Sequence, residues 1–359
     1  LRAIGAPLEG VPDDDWAAFN LTPAEATTLL ARWSAWLASL QPADCAHWQH
    51  QLAGARLETL GLADFFTRHP QLRSPRVFAP STAHYSWSKG VKLLGLGRAQ
   101  LELIPSRSMR LNLDALEQRL HECRLAHEPV LMTVGVLGST EFGTIDPIDG
   151  LVALRERMAA AGLGMALHVD AAWGGYLACL LRTPEGTLRG ADEMGREFAS
   201  FPRPEVHAAL AALSRTDSIT IDPHKLGHVP YGAGAFVCAD QRAMALLAED
   251  ADYGFSGAAG DDYFERFRAL GRYVPEGSKS GAMAAAVYVT HRVLPLDHLN
   301  FGRLLAEGLR DTEAFVARAR AFIGEVAPSI TAVLPFEPDC NLVCLALNPR
   351  GNRSVREMN

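Results

Sequence analysis

Apolar positions follow two different spacings along the chain, and the change falls near residue 75. Before it, Leu29, Leu30, Trp33, Trp36, Leu37 and Leu40 recur at helical intervals behind Thr22-Pro23-Ala24-Glu25. A threonine followed three residues on by glutamate, with proline at the first helical position, is a helix start in which each side chain satisfies a backbone N–H of the other residue. The pattern predicts an amphipathic helix whose aromatic stripe serves a core or a subunit interface. From Arg76 onwards short continuous apolar runs take over: Arg76–Ala79, Pro129–Val136, Met165–Asp170, Ser218–Asp222 and Gly234–Cys238. Helical stretches such as Trp87–Leu96, Leu113–Cys123 and Leu151–Ala161 separate them. Uninterrupted apolar strands alternating with helices predict an α/β fold, a mostly parallel sheet with helices on both faces. In such sheets ligands bind outside the carboxyl ends of the strands. Beyond Leu294 a long helical stretch leads to strand-like runs at Ser329–Leu334 and Leu342–Leu347, the start of a smaller α+β domain. The expected organisation is an N-terminal helical segment over residues 1–75, a large ligand-binding domain over 76–294, and the incomplete beginning of a small C-terminal domain over 295–359.

Composition narrows the class. With 48% hydrophobic and 21% charged residues in 359, the chain reads as globular and not disordered. Lys+Arg 34 against Asp+Glu 41 leaves a net charge of −7 and no basic run, which argues against nucleic acid and for a small-molecule partner. The six cysteines form no CxxC pair and read as buried thiols in a reducing compartment. No apolar run reaches the ~20 residues of a membrane span, and no signal-peptide pattern opens the chain. A cytoplasmic location is expected, with no membrane partner. The chain opens on Leu1 and closes on Asn359 without a recognisable start or finish, so truncation at either end is an expectation too.

Two strand ends carry the candidate chemistry. Leu167-His168-Val169-Asp170-Ala171-Ala172-Trp173-Gly174-Gly175 puts a carboxylate where a buried strand finishes, followed by small residues that admit a flat ligand. Thr220-Ile221-Asp222-Pro223-His224-Lys225-Leu226-Gly227 puts a lysine just past another strand end. An acid and a lysine at two strand ends of one parallel sheet can converge on one crevice, and that pairing suits pyridoxal 5'-phosphate. A lysine amine forms a Schiff base with the cofactor aldehyde. A carboxylate facing the ring nitrogen keeps it protonated, so that the ring can accept the electron pair of a breaking bond. Ala172 would fit one ring face, and His84, beyond the Arg76–Ala79 strand, is placed to stack on the other.

Blander readings compete. A lone Lys or Asp is usually a solvated charge, a strand-end Asp can cap the next helix, and a strand-end His is usually a hydrogen-bonded structural residue. His168-x-Asp170 and His224-x-x-x-His228 imitate metal-ligand spacings, but Pro223 and Gly227 oppose a regular helix there and a metal leaves Lys225 without a role. Cys45-Ala-His47-Trp-Gln-His50 lacks a fourth ligand, so no metal is expected.

These motifs together resemble the group II pyridoxal-phosphate-dependent amino-acid decarboxylases, in particular the bacterial tyrosine decarboxylase subfamily. The resemblance rests on His168-Val-Asp170-Ala-Ala172-Trp-Gly-Gly175 and Asp222-Pro-His224-Lys225-Leu-Gly-His-Val-Pro-Tyr231, on Ser-Thr-Ala-His84-Tyr-Ser-Trp, on Val136 to Asp146, and on Glu276-Gly-Ser278-Lys-Ser-Gly281. It implies the type I fold of pyridoxal-phosphate enzymes and a homodimer with the active site at the interface. It also implies a carboxy-lyase that turns a tyrosine-like L-amino acid into its amine and carbon dioxide. Position by position it implies Lys225 as the Schiff-base lysine, Asp170 as partner of the ring nitrogen, His84 and Ala172 against the ring faces, His224 near the phosphate, and Ser139 and Thr140 as hydroxyls around the cofactor. Ser278 is implied to reach the phosphate from the neighbouring subunit, Tyr253 to protonate Cα, and Tyr231 to be a second active-site tyrosine. His228 stands where a tyrosine is expected in that subfamily. The family also carries a glycine-rich phosphate-binding stretch upstream of the His84 segment, which residues 1–75 do not show, and a C-terminal small domain of which residues 295–359 are expected to be only the beginning. Two other functions are therefore weighed: decarboxylation of an acidic amino acid or aldehyde formation on the same scaffold, and an inactive remnant that binds no cofactor.

Overall fold

A computed structural model describes residues 1–249, 270–276 and 280–354. Its centre is a six-stranded sheet in the order β2-β1-β5-β6-β7-β8, built from β1 (Arg76–Pro80), β2 (Leu101–Ile104), β5 (Val130–Val136), β6 (Ala166–Asp170), β7 (Ser218–Ile221) and β8 (Ala235–Cys238). The first five are parallel to their neighbours, and β8 alone runs antiparallel, against β7. The apolar runs correctly marked five of these strands. The sixth, β2, was not predicted; its two-residue neighbours β3 (Ser106–Arg107) and β4 (Arg110–Leu111) form a separate small hairpin.

Alternation along the strands gives the sheet two unlike faces. Phe78, Leu167, Val169 and Ala171 point into the main core, where the helices Leu113–Leu125 and Ile148–Ala160 bury Leu116, Leu120, Leu151 and Leu154. Each of those leucines contributes on the order of 2 kcal/mol of apolar burial. The first helix starts where it does because Asn112 accepts hydrogen bonds from the N–H groups of Asp114 and Ala115. On the opposite face Val77, Ala79 and Val134 form a small second cluster with Val91 of the helix Ser86–Leu93. The sheet is thus covered thickly on one side and thinly on the other, and the thin side carries the cleft.

The helices Pro23–Ala38, Pro42–Ala55 and Leu57–Arg68 precede the sheet. The first begins with the reciprocal cap predicted from Thr22 and Glu25. Of its apolar stripe Trp33 and Leu37 are buried, and Trp33, Trp36 and Trp48 make successive ring contacts. Thr27 donates to Asp240 across 2.8 Å and ties this helix to the chain just after β8. At the other end the helix Phe301–Val326 sends Phe301, Leu305 and Leu309 into the main core, and β9 (Ile330–Val333) pairs antiparallel with β10 (Ala346–Pro349). The second of these strands starts later than the predicted Leu342–Leu347, because Cys340 and Leu342 are drawn onto the turn that holds Gly143: the Cys340 thiol lies 3.1 Å from the Gly143 carbonyl, and Leu342 packs against the core. Among the described residues no helix is long and apolar enough to cross a membrane.

Candidate functional site

Strand register builds the site. Val136, Asp170, Thr220 and Phe236 stand side by side across β5, β6, β7 and β8, and Val134, His168, Ser218 and Cys238 form the next row along the strands. Both rows lie on the thinly covered face, and Val136, Asp170, Thr220 and Phe236 of the first row with His168 and Ser218 of the second border a cleft of about 540 Å³. The helix Ser86–Leu93 makes one wall through Trp87, and His84 stands at the head of that helix. Gly138 and Thr140, from the turn after β5, and Ala172 and Trp173, from the turn after β6, make the other wall. Lys225 completes the lining from the loop after β7.

Asp170 has fixed partners. Its Oδ2 accepts the indole N–H of Trp87 at 3.1 Å, and its Oδ1 accepts the backbone N–H of Ala172 at 3.3 Å. Each oxygen keeps a lone pair for a donor in the cleft. Lys225 is placed by a short, internally bonded loop in which the N–H of Lys225 donates to the Asp222 carbonyl and that of Val229 to the Pro223 carbonyl. Its ammonium lies 3.0 Å from Asp222 Oδ2. His84 is oriented by Ser86, whose hydroxyl is 2.9 Å from Nδ1.

Of the residues singled out in the sequence, the structure gathers His84, Thr140, Asp170, Ala172 and Lys225 around one cleft. Others sit apart from its lining. The hydroxyl of buried Ser139 is bonded to Thr144 at 2.8 Å, inside the turn that presents Thr140. His224 holds the Ala233 carbonyl at 2.6 Å and stacks on Tyr231, whose ring is 87% exposed at the rim. Tyr253 and Ser278 lie outside the described residues.

Sequence reasoning overlooked Trp87, Phe236 and the lysine's partner Asp222, and weighed His168 only as a metal ligand. His168 bonds two hydroxyls, Ser218 Oγ at 2.8 Å and Thr220 Oγ1 at 3.2 Å, and stacks on Phe236. Burial lowers its pKa, against the opposing pull of Asp170, so the imidazole is held neutral. Among the described residues no group of three His, Cys, Asp or Glu side chains is arranged to hold a metal ion. The alternation His168-x-Asp170 did signal that both face the same side of the sheet. Nothing in the sequence placed Trp87 against a strand end 83 residues away.

The donor set suits a pyridoxal ring. A strand-end carboxylate with spare lone pairs, a lysine within the same cleft, a small alanine on one wall and an imidazole on another are the groups that a flat, nitrogen-containing aldehyde requires. Comparison with known proteins agrees. Residues 64–194 match the pyridoxal-dependent decarboxylase conserved domain. Over 291 residues the chain is 36% identical to an L-tyrosine decarboxylase of Levilactobacillus brevis, a match that takes in 78% of this chain and 46% of that protein. It is also 36% identical to the L-tyrosine decarboxylase of Enterococcus faecium, over 74% of this chain and 44% of the relative. The chain therefore spans about half the length of these relatives. Among solved structures, that of Catharanthus roseus tryptophan decarboxylase in complex with L-tryptophan superposes with a TM-score of 0.55 at 19% identity, covering 83% of this chain and 53% of the other. The fold is the type I fold of pyridoxal-phosphate enzymes, and residues 64–194 match the pyridoxal-dependent decarboxylase conserved domain. Over most of its length the chain is similar to the bacterial L-tyrosine decarboxylases.

Proposed function

We propose that this chain is the cofactor-binding part of a pyridoxal-phosphate-dependent carboxy-lyase that converts a tyrosine-like aromatic L-amino acid into its amine and carbon dioxide. The observation that carries the reading is the convergence of Asp170 and Lys225, from the ends of adjacent strands β6 and β7, on one cleft. When bound, the cofactor supplies an aldehyde for the lysine or the substrate amine and a protonated ring that accepts the electrons of the Cα–carboxylate bond.

The chain's own residues set the conditions. Asp170, fixed by Trp87 and Ala172, presents negative charge where the ring nitrogen would sit, so the carboxylate needs no reorganisation as charge moves into the ring. Asp222 holds the Lys225 ammonium at the rim and is the base within reach of its proton when the amine becomes a nucleophile. Ala172 and His84 would flank the ring. Thr140 offers a hydroxyl, Ser139 stiffens the turn that carries it, and His224 braces the lysine loop from behind. By resemblance, Tyr253 donates the proton that Cα takes up after carbon dioxide leaves, Tyr231 borders the substrate, and Ser278 contacts the phosphate of a partner subunit. This assigns a cytoplasmic homodimer, with residues 76–294 as the cofactor domain, 1–75 as a helical N-terminal segment and 295–359 as the beginning of a small domain.

The deciding experiment adds the cofactor to the purified chain, reduces with borohydride and maps the label. A visible absorbance band that reduction removes, with the label on Lys225 and none on Lys225→Ala, is the expected result. Amine release from tyrosine exceeding that from aspartate and glutamate, measured on the purified protein, would fix the substrate class. A chain that binds no cofactor, or a label elsewhere, would overturn the reading.

A further inference from the structure

Trp173 touches both sides of the cleft wall opposite Trp87. It follows Ala172 directly, and its ring edge lies so close to Gly138 that a Cβ there would sit 3.0 Å from Trp173 Cδ1. Gly138 opens the turn that carries Ser139 and Thr140 and is closed by N–H bonds from Gly138 and Ser139 to the Thr144 carbonyl. One indole therefore braces both the strand-end turn behind Ala172 and the turn that presents Thr140. The indole itself is anchored from far along the chain: its N–H donates to Asn341 Oδ1 at 3.1 Å.

The anchor is rigid for identifiable reasons. Asp339, two residues earlier, is 1% exposed. It accepts from Arg110 Nε at 2.7 Å and the backbone N–H of Ile145 at 2.9 Å, and it pairs with Arg203. Next in sequence, Cys340 is buried against the Gly143 carbonyl, and burial pushes its thiol up to about 12, which keeps it neutral. A Cβ on Gly143 would come within 2.6 Å of Leu342. The segment Asp339–Leu342 is thus locked onto the Gly138–Asp146 turn on both sides of Asn341.

We infer that Asn341 is a positioning residue for the cofactor cleft: through the Trp173 indole it holds the wall formed by Ala172 and the Gly138–Thr140 turn. The inference rests on the cofactor reading above for its functional consequence, whereas the bond itself can be tested without cofactor.

The test is a double-mutant cycle of Asn341→Leu, Trp173→Phe and the pair, read as cofactor affinity from the visible band and, without cofactor, as deuterium exchange of the Trp173 indole proton, assigned by its absence in Trp173→Phe. Asn341→Leu should weaken cofactor binding about tenfold, since it removes the acceptor that fixes the partly buried indole N–H of Trp173. In the Trp173→Phe background the same change should add less than twofold. The indole proton should exchange slowly in the parent and at least tenfold faster in Asn341→Leu. Independent, additive losses, equal cofactor affinity in parent and Asn341→Leu, or an indole proton that exchanges equally fast in both would each overturn the inference. Should Asn341→Leu fail to fold, Trp173→Phe removes the same bond from the other side, and the parent exchange rate still decides. A parent protein that binds no cofactor refutes the functional reading, not the bond.

Discussion

The indole N–H of Trp87 donates to Oδ2 of Asp170 across 3.1 Å, joining the helix on the thin face of the sheet to the end of its central strand. The bond explains why a tryptophan, and not merely an apolar residue, suits that helix position: it packs on the small cluster of Val77 and Val91 while its one polar atom orients a carboxylate.

Trp87→Phe keeps most of the packing and removes the donor. Cofactor affinity should fall about five- to tenfold, the cost of one charge-assisted hydrogen bond, with little change in thermal stability. Titration of the visible band against cofactor concentration measures it. Unaltered affinity would show that Ala172 alone orients Asp170.

Asp146 is buried beneath the same turn, its two oxygens accepting the N–H groups of Leu111 and Val136 at 2.7 and 2.8 Å. Burial nonetheless pushes its carboxyl up to about 7. A raised carboxyl favours the protonated native state, so this residue's contribution is fully present at low pH and is lost as pH rises from about 4 to about 7, with ~4 kcal/mol as an upper bound. Urea unfolding at pH 5 and pH 8 should give a stability difference that shrinks in Asp146→Asn, whose amide does not titrate. An identical pH slope in the two proteins would contradict the assignment.

His168 should act in the opposite sense. Its lowered pKa means that the neutral native form contributes above about pH 6.5 and loses ground as acid protonates the unfolded chain first. His168→Phe keeps the stacking on Phe236 and gives up the bonds to Ser218 and Thr220. It should cost about 1–2 kcal/mol at pH 8. That gap should narrow by pH 5, as followed by denaturant midpoints. A gap that widens in acid would mean the wild-type imidazole is charged when folded.

Gly138 and Gly162 both have left-handed backbones, with φ of 87° and 85°, but only Gly138 is crowded: its Cβ would meet the Gly174 nitrogen and Trp173 Cδ1 at 3.0 Å, whereas nothing lies within 4 Å of Gly162. Gly162→Ala should cost about 1 kcal/mol of backbone strain. Gly138→Ala should cost that plus the displacement of Trp173, and cofactor binding should weaken in Gly138→Ala alone. Equal effects of the two substitutions on cofactor affinity would remove Gly138 from the cleft wall.

The sheet and the meeting of Asp170 and Lys225 at one cleft were legible because both follow from local patterns. Five strands announce themselves as unbroken apolar runs; Asp170 ends one of them and Lys225 sits three residues past another. The four-residue β2 escaped because Leu101-Glu-Leu-Ile104 is too short, and too polar in its middle, to stand out beside Gly95 and Gly97. That β8 turns back antiparallel was also hidden, since a four-residue apolar run has no direction. The supporting residues were invisible for a different reason. Trp87, Asn341 and Asp339 act through contacts 83, 168 and up to 229 positions away in sequence, and each alone reads as an ordinary core or surface residue.

The antiparallel return of β8 also sets a mechanical limit on the lysine. Asp222–Gly234 is the whole length of chain between the last ladder pair, Ile221 with Ala235, and the loop is further stitched by His224 to the Ala233 carbonyl. Lys225 therefore sits close to one anchored end of the loop: its N–H is bonded to the Asp222 carbonyl, next to strand pairs that also carry Thr220 and Phe236 in the lining of the cleft. The anchor close to Lys225 favours movement of its amine by side-chain rotation, so changes to the length of the loop between Asp222 and Lys225 should be tolerated far less well than changes to its exposed residues.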